Sequence, residues 1–167
     1  MRQESTVEIL KISGCIEAQF GQLVSWVYSV TSSISKDYRN YHKWYWQKVV
    51  PGLVNKTREI LIAWTNAGPA GVAILKSENG ERKICTLMIF EAFRSQNIAP
   101  VLLTESFKYL GTTKPLITIP DYKLQQFSAI VQKYSWEQTQ VLDKGYYNDT
   151  SKELVFNGTI SFKNPLA

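Results

Sequence analysis

The segment LMIFEAFRSQNIAPVLLTESFKYL, residues 87–110, passes from one structural pattern to another within a few residues. It opens with an apolar run typical of a strand, and further on Leu103, Phe107 and Leu110 recur at helical spacing. The polar turn RSQNIA, residues 94–99, separates the two. A helix that follows such a turn can bind an anion, because its first N–H groups are unpaired and its dipole is positive there. The segment is therefore either an anion-binding turn or a plain connection with a surface arginine.

The composition is typical of one compact domain, which we expect to span residues 1–167. The chain is 44% apolar and 20% charged, which suits a buried core and argues against disorder. No run approaches the roughly twenty apolar residues of a membrane helix, and no secretory signal is recognisable, so we expect a cytoplasmic protein without a membrane. Because Cys15 and Cys85 are far apart and His42 is the one histidine, no metal site is predicted.

The net charge of +5 and the isoelectric point near 9.1 indicate an anionic partner. A nucleotide cofactor, RNA or an acidic surface would each satisfy this charge. The excess is concentrated between Lys36 and Arg58, where six basic residues accompany a single acid, Asp37. This segment alone accounts for the whole net charge.

The first half of the chain predicts a strand, two helices and a three-stranded meander. Residues 7–12 are rich in β-branched side chains, and apolar residues recur at helical spacing between 16 and 27. Residues 38–50, YRNYHKWYWQKVV, predict an aromatic helix that Pro51-Gly52 ends. Residues 58–90 predict three antiparallel strands, joined by turns at Gly68-Pro69 and Asn79-Gly80.

The second half predicts a helix, the strand PLITI at residues 115–119, another helix and two closing strands. A strand–helix–strand crossover after a meander gives a mixed sheet with helices on both faces. The pattern therefore predicts an α/β fold class.

The opening segment resembles the signature of the GNAT superfamily of acyl-CoA-dependent N-acyltransferases. That signature is a strand followed by R/Q-x-x-G-x-G/A at the start of a helix; here 87–89 supply the strand and 94–99 the loop. The element order over residues 7–158 is also similar, and VQKYSW, residues 131–136, resembles the family's C-terminal region. The resemblance implies a GNAT-like fold, acetyl-CoA as acyl donor and an N-acetyltransferase activity.

The resemblance also implies which residues bind the cofactor. Where the strand before the loop splays from PLITI, Leu87 and Ile89 would present backbone groups to the pantetheine arm. The pyrophosphate would lie on the loop, which consists of Arg94, Ser95, Gln96, Asn97, Ile98 and Ala99. Asn97 stands where the family has a glycine, and asparagine is the residue other than glycine that best tolerates a left-handed backbone. Pro100 suits the first position of the helix.

Two catalytic candidates follow from the same resemblance. Acetyl transfer needs a neutral amine, so a base must take a proton and an acid may protonate the leaving thiolate. The family's glutamate position holds Lys83, and Glu81 lies two residues earlier on the same strand face. The family's tyrosine position holds Val131, and Tyr134 lies one helical turn later. The alternatives are a solvated charge for Glu81 and a rim aromatic for Tyr134.

Further candidates lie in the closing loop and in the strand before the signature. Tyr146 and Tyr147 lie between the closing strands. Cys85 lies within a strand, which predicts a buried and inert thiol. The expected reaction is therefore a direct transfer without an acyl-enzyme.

The aromatic helix lies where the family binds its acceptor, so the resemblance implies an acceptor cleft formed by Tyr41, His42, Trp44 and Tyr45. The same residues fit a nucleic-acid surface, because bases stack on aromatic rings while cations bind phosphates. They also fit an ordinary amphipathic helix whose aromatic face is core.

Three functional hypotheses result. The first is an acetyl-CoA-dependent N-acetyltransferase that acts on a small-molecule or peptide amine. The second is a catalytically degenerate GNAT module that binds acyl-CoA or a protein partner. The third is a protein directed to RNA or tRNA through the basic aromatic helix. A monomer and a homodimer are both compatible with the sequence.

Overall fold

The computed structural model describes residues 6–161, and within them seven strands form one mixed sheet. The strands are β1 (Glu8–Lys11), β2 (Arg58–Thr65), β3 (Gly68–Glu78), β4 (Glu81–Ile89), β5 (Leu116–Pro120), β6 (Gln138–Leu142) and β7 (Glu153–Phe156). The main helices are α1 (Glu17–Thr31), α2 (Tyr41–Trp44), α3 (Val50–Val54), α4 (Ile98–Leu110) and α5 (Leu124–Lys133). No helix in this part of the chain is long and apolar enough to cross a membrane.

The strand order in the sheet is β1-β2-β3-β4-β5-β7-β6. Strands β1 to β4 are antiparallel neighbours, and α4 then carries the chain across to β5, which is parallel to β4. Strand β7 inserts between β5 and β6. The predicted meander, crossover and closing strands are confirmed.

Helices cover both faces of the sheet. Side chains along β2 alternate between the two faces, and each face packs in its own apolar cluster. Ile60 and Ile62 pack in the cluster that includes Val24 and Val27 of α1. Leu61 packs in the other cluster, with residues of α4 such as Leu102, Leu103 and Phe107. The predicted helices on both faces are therefore confirmed.

The sequence predicted that the aromatic helix ends at Pro51-Gly52, and this prediction is wrong. A π-helical turn, Tyr45–Val49, joins α2 to α3, and the helical segment continues to Val54. Pro51 lies in the first turn of α3, where the loss of its N–H is tolerated. Gly52 serves packing, because a Cβ there would lie 2.2 Å from Cγ of Arg58.

The turn between β2 and β3 was also misplaced. It consists of Asn66 and Ala67, whereas Gly68 and Pro69 are the first residues of β3. Thr65 stabilises this turn, because its Oγ1 donates to the carbonyl of Gly68 and accepts from the N–H of Ala67. Proline is tolerated at the first residues of a strand, so the pair does not interrupt β3. The turn predicted at Asn79-Gly80 is confirmed, with φ values of +50° and +80°.

A β-bulge interrupts β4 at Cys85. Thr86 pairs with Ile74 and Ile84 pairs with Leu75, so Cys85 is an extra residue without its own partner on β3. A bulge changes which side chains face each side of a sheet. As a result Ile84 and Leu87, three residues apart, both pack with the cluster of α4, while Cys85 packs against the cluster of α1.

Candidate functional site

Strands β4 and β5 pair over only two residues and then separate. Lys83 pairs with Leu116 and Ile84 pairs with Ile117, whereas β4 continues to Ile89. The gap that opens beyond Ile84 is the splay that the resemblance implied. It leaves one backbone edge of β4 facing a cleft.

This β4–β5 cleft has a volume of about 780 Å³. It is walled by the separated strands, by the loop before α4 and by the start of α5. Seven of the eight residues predicted to bind the cofactor line it: Leu87, Ile89, Arg94, Ser95, Asn97, Ile98 and Ala99. Gln96 does not, because its side-chain amide donates to the carbonyl of Ala92 at 3.1 Å.

The loop before α4 takes the left-handed conformation predicted for Asn97. Asn97 has φ +62° and ψ +26° and is the N-cap residue of α4, although its side chain makes no capping hydrogen bond. Ser95 also has a positive φ, +63°. Pro100 is the third residue of α4 rather than the first, and it still lies in the turn whose N–H groups have no partner within the helix. The two N–H groups before it, of Ile98 and Ala99, are retained.

The positive charge beside this loop is not neutralised by the protein. Arg94 is exposed at the cleft and makes no ion pair within residues 6–161. Lys123, also at the cleft, is by contrast bound to the buried carboxylate of Asp37, with Nζ 2.9 Å from Oδ2. The guanidinium of Arg94 is therefore available for an anionic ligand.

A second, smaller cavity, which we call the aromatic pocket, has a volume of about 200 Å³. Its walls include the rings of Tyr38, Tyr41, Trp44, Tyr146 and Tyr147. It shares five lining residues with the β4–β5 cleft: Ile34, Tyr38, Cys85, Thr86 and Thr118. The two cavities therefore meet where β4 and β5 separate.

The structure divides the predicted acceptor residues into two pairs. Tyr41 and Trp44 line the aromatic pocket. Tyr45 is fully buried, and its hydroxyl donates to the carbonyl of Val24 at 2.6 Å. His42 is exposed, with Nδ1 2.8 Å from the hydroxyl of Tyr28, and it lines neither cavity. The π-helical turn begins at Tyr45 and helps to direct that ring into the core.

Glu81 and Tyr134 lie outside both cavities. Glu81 is next to the β3–β4 turn and forms an ion pair with Lys76, with Oε1 2.9 Å from Nζ. Tyr134 caps α5 and packs edge-to-face on Phe107, with ring centroids 4.9 Å apart. Glu81 is therefore a charge at the surface and Tyr134 is a rim aromatic, which were the alternatives to a catalytic role.

A buried glutamate, Glu153, lies close to the pocket and was not predicted from the sequence. Glu153 begins β7 and is only 2% exposed. The hydroxyl of Tyr38 donates to its Oε1, while Oε2 has no hydrogen-bond partner in the described structure. Burial raises the pKa of Glu153 to about 7, although the hydrogen bond from Tyr38 acts in the opposite direction. The signal in the sequence was an acid at the start of the apolar run ELVF.

Tyr38 joins this glutamate to the junction of the cavities, because its side chain lines both of them. Burial is the main cause that raises the pKa of Tyr38 well above its usual range, and the charge of the neighbouring Glu153 adds to it. The phenol therefore keeps its proton near neutrality and acts as a hydrogen-bond donor. Tyr147 packs edge-to-face on it, with ring centroids 4.9 Å apart.

Cys85 is half-buried at the junction, where the sequence predicted a buried thiol. The residue after it, Thr86, lines the same two cavities. Nη1 of Arg58 donates to its Sγ at 3.4 Å, and the same guanidinium lies 5.7 Å from the ring centre of Trp44. Arg58 thus connects the helical segment to the cavity junction.

Solved structures of acetyltransferases share this fold. NAA60 of Arabidopsis thaliana, solved with a bisubstrate analogue and with acetyl-CoA, has a TM-score of 0.64 at 14% identity; the match covers 90% of this chain and 96–97% of that one. A GNAT family acetyltransferase from Elizabethkingia anophelis, with acetyl-CoA bound, gives 0.54 at 15% identity, with coverage of 93% and 97%. Nourseothricin acetyltransferase gives 0.55 at 10% identity, and there the match spans 61% of this chain and 65% of that one, just under two thirds.

No protein-family model matches the sequence, and no curated protein matches it. The similarity is therefore one of architecture, and it confirms the fold that the resemblance implied. The chain has the GNAT fold.

Proposed function

We propose that this protein is an acetyl-CoA-dependent N-acetyltransferase that transfers the acetyl group directly to a primary amine. The observation that carries the proposal is the meeting of the two cavities at Cys85, Thr86 and Thr118. A direct transfer requires donor and acceptor to approach from opposite sides of one point, and this junction provides it.

The β4–β5 cleft suits acetyl-CoA. The first N–H groups of α4 and the unpaired guanidinium of Arg94 would hold the pyrophosphate. The free backbone edge of β4, including Leu87 and Ile89, would hydrogen-bond the pantetheine arm. When bound, acetyl-CoA would supply a thioester whose carbon forms a bond to the amine nitrogen while its bond to sulfur breaks, and the leaving thiolate would take a proton from solvent.

Tyr38 and Glu153 form a route for the proton that the amine must lose. Tyr38 lines the junction and donates to Glu153. A carboxylate with a pKa near neutrality is a suitable base. The phenol would take a proton from the attacking nitrogen as it passes its own proton to Glu153. These residues replace Glu81 and Tyr134 in the proposed mechanism.

The acceptor would occupy the aromatic pocket, bordered by Tyr41 and Trp44. The fold is shared with NAA60, whose structure with a bisubstrate analogue shows that this architecture can hold donor and acceptor together. A small-molecule amine and a peptide amine remain the two acceptor classes that this proposal covers.

Calorimetric titration with acetyl-CoA, followed by a thiol-release assay with a panel of amines, tests the proposal. We expect micromolar binding that Arg94→Ala weakens about tenfold, because one charge-assisted contact is lost. Lys114→Ala is the matched control, since it removes an exposed positive charge that lines neither cavity. Absence of binding at millimolar acetyl-CoA would refute the proposal. Binding without turnover of any amine would favour the degenerate acyl-CoA-binding module instead.

A further inference from the structure

Lys83, in strand β4, lines the aromatic pocket and forms no ion pair in the described part of the chain. Lys83 is only 7% exposed, and it lines the pocket but not the β4–β5 cleft. Its Nζ makes no hydrogen bond or ion pair within residues 6–161. An ammonium group offers three hydrogen-bond donors, and those of Lys83 are open to a ligand in the pocket. The other buried lysine of the sheet, Lys76, is paired with Glu81.

Two of the acids near the pocket are engaged elsewhere. Asp37 accepts from Lys123 and from the hydroxyl of Tyr122, and Asp149 pairs with Arg39. Glu153 is close enough to Lys83 to be influenced by its charge, but no ion pair joins them; its Oε1 accepts from Tyr38, and its Oε2 has no hydrogen-bond partner in the described structure. A carboxylate on a ligand bound in the pocket would supply the ion pair that Lys83 lacks within residues 6–161.

From this arrangement we infer that the acceptor is a small amine that carries a carboxylate, and that Lys83 binds the carboxylate in the aromatic pocket. This inference rests on the proposed acetyl transfer and narrows the acceptor from any amine to a free amino acid or a similar aminocarboxylate. Lys83 is a specificity residue, while Tyr38 and Glu153 handle the proton.

The arrangement of Lys83 and Cys85 fits such a molecule. Both residues line the aromatic pocket, and Cys85 also marks the junction with the β4–β5 cleft. In an α-amino acid the carboxylate and the amine are attached to the same carbon, so a carboxylate bound by the long, flexible side chain of Lys83 holds the amine toward the junction. A peptide amine with no nearby acid would leave Lys83 without an ion pair.

The size and lining of the pocket define the rest of the acceptor. A dry cavity of about 150 Å³ accommodates a benzene molecule, so the pocket of about 200 Å³ has space for one ring and a few further atoms. Tyr38, Tyr41 and Trp44 line it with aromatic surface. We therefore expect an apolar or aromatic side group on the aminocarboxylate.

The test compares matched acceptors that differ only in the carboxylate. Phenylalanine, phenylalaninamide and phenethylamine, with the corresponding leucine series, are assayed at saturating acetyl-CoA, and their binding is measured by calorimetry without cofactor. We expect kcat/KM to favour the amino acid over its amide by about tenfold to a hundredfold, mainly through KM. Lys83→Met should abolish that preference and leave acetyl-CoA affinity unchanged. Lys76→Met is the control, because it replaces an equally buried lysine outside both cavities.

The outcomes separate this inference from the proposed function. Equal use of acid, amide and amine, or a preference for peptides over free amino acids, would overturn the role of Lys83 while leaving the acetyltransferase intact. An acetyl group found on Lys83 by mass spectrometry would make it an acceptor rather than a recognition residue and would also overturn the inference. If acetyl-CoA does not bind, the proposed function fails, and the binding of phenylalanine against phenylalaninamide still decides whether Lys83 selects a carboxylate.

Discussion

The hydroxyl of Tyr38 donates a hydrogen bond to Oε1 of Glu153, two residues that are 115 positions apart in the sequence. The contact connects the segment between α1 and α2 to strand β7, which lies beside β5 in the sheet. Tyr38 lines both cavities, whereas Glu153 is buried behind it. The pair therefore connects the junction of the two cavities to a carboxylate that is shielded from water.

Glu153→Gln should remove the base from the reaction. Because the pKa of Glu153 is raised to about 7, we expect kcat/KM of the unmodified protein to rise as the pH increases through that value. Glutamine cannot accept the proton, so the variant should lose this rise and about a hundredfold in rate at high pH. The measurement is a pH profile with one amine acceptor. Tyr38→Phe should lose the same limb of the profile, and Glu81→Gln should retain it.

An unchanged profile in Glu153→Gln would show that the proton leaves by another route. The affinity for acetyl-CoA is the control, because Glu153 does not line the β4–β5 cleft. This affinity should be equal in the unmodified protein and in Glu153→Gln.

The same carboxyl should make the stability of the protein depend on pH. Its pKa is raised from the usual 4.5 to about 7, so between these values the native state holds a proton that the unfolded state has lost. The contribution of Glu153 to the free energy of unfolding should therefore be greatest below about pH 4.5. It should decrease by on the order of 3 kcal/mol as the pH rises to about 7. Urea unfolding of the protein and of Glu153→Gln across this range measures the difference.

The glutamine variant should lose most of that decrease, because it has no proton to release. If both proteins show the same dependence on pH, the ionisation of Glu153 does not differ between the folded and unfolded states. The comparison needs no substrate, so it is independent of the proposed activity.

Substitutions of Asn97, which stands where the GNAT signature has a glycine, test the loop before α4. Its left-handed backbone is inexpensive for asparagine and unfavourable for a β-branched residue. Asn97→Gly should preserve stability and should bind acetyl-CoA at least as tightly, because the backbone can approach the phosphates more closely. Asn97→Val should lose about 1–2 kcal/mol of unfolding free energy and should bind acetyl-CoA more weakly.

Gln96→Val is the matched control for the valine variant. Gln96 is exposed, lies outside the cleft and has no positive φ. Equal losses in the two valine variants would mean that the left-handed conformation of Asn97 contributes nothing specific. Calorimetry and urea unfolding give both quantities.

The sequence predicted the sheet well because its signals were local. Asn79-Gly80 specified a hairpin, the apolar runs gave the strands, and the tolerance of Asn97 for positive φ was correctly anticipated. The errors concerned residues whose role depends on contacts outside their own turn. Pro51 and Gly52 resemble a helix end in sequence, but Gly52 is required by the approach of Arg58.

The candidate site was only partly predictable for the same reason. The loop before α4 is contiguous in the chain, so a motif could locate it beside the β4–β5 cleft. The relation of Tyr38 to Glu153 and the insertion of β7 beside β5 are tertiary, and no local pattern encodes them. Ile84 and Leu87 share a face of the sheet because of the bulge at Cys85, and strict alternation along β4 does not reveal this. The predicted RNA surface is untested, although Tyr41 and Tyr45 are buried.

Gly52→Ala should destabilise the protein by displacing Arg58. The added Cβ would lie 2.2 Å from Cγ and 2.9 Å from Cβ of Arg58, so the arginine must move. That side chain is 4% exposed, donates to Cys85 and lies over Trp44, so its displacement disturbs packing beneath the aromatic pocket. We expect a loss of about 1–3 kcal/mol in unfolding free energy, together with a raised KM for the amine acceptor.

Gly21→Ala is the control that isolates this steric effect from the general preference of helices for alanine. Gly21 is an exposed residue inside α1, and a Cβ there meets no atom within 4 Å. The substitution should stabilise the protein by about 0.5–1 kcal/mol and leave KM unchanged. Urea unfolding and acceptor kinetics of both variants measure these effects. Equal stabilisation by the two alanines would mean that Arg58 can move freely, and that its contacts with Cys85 and Trp44 do not hold the junction of the cavities in place.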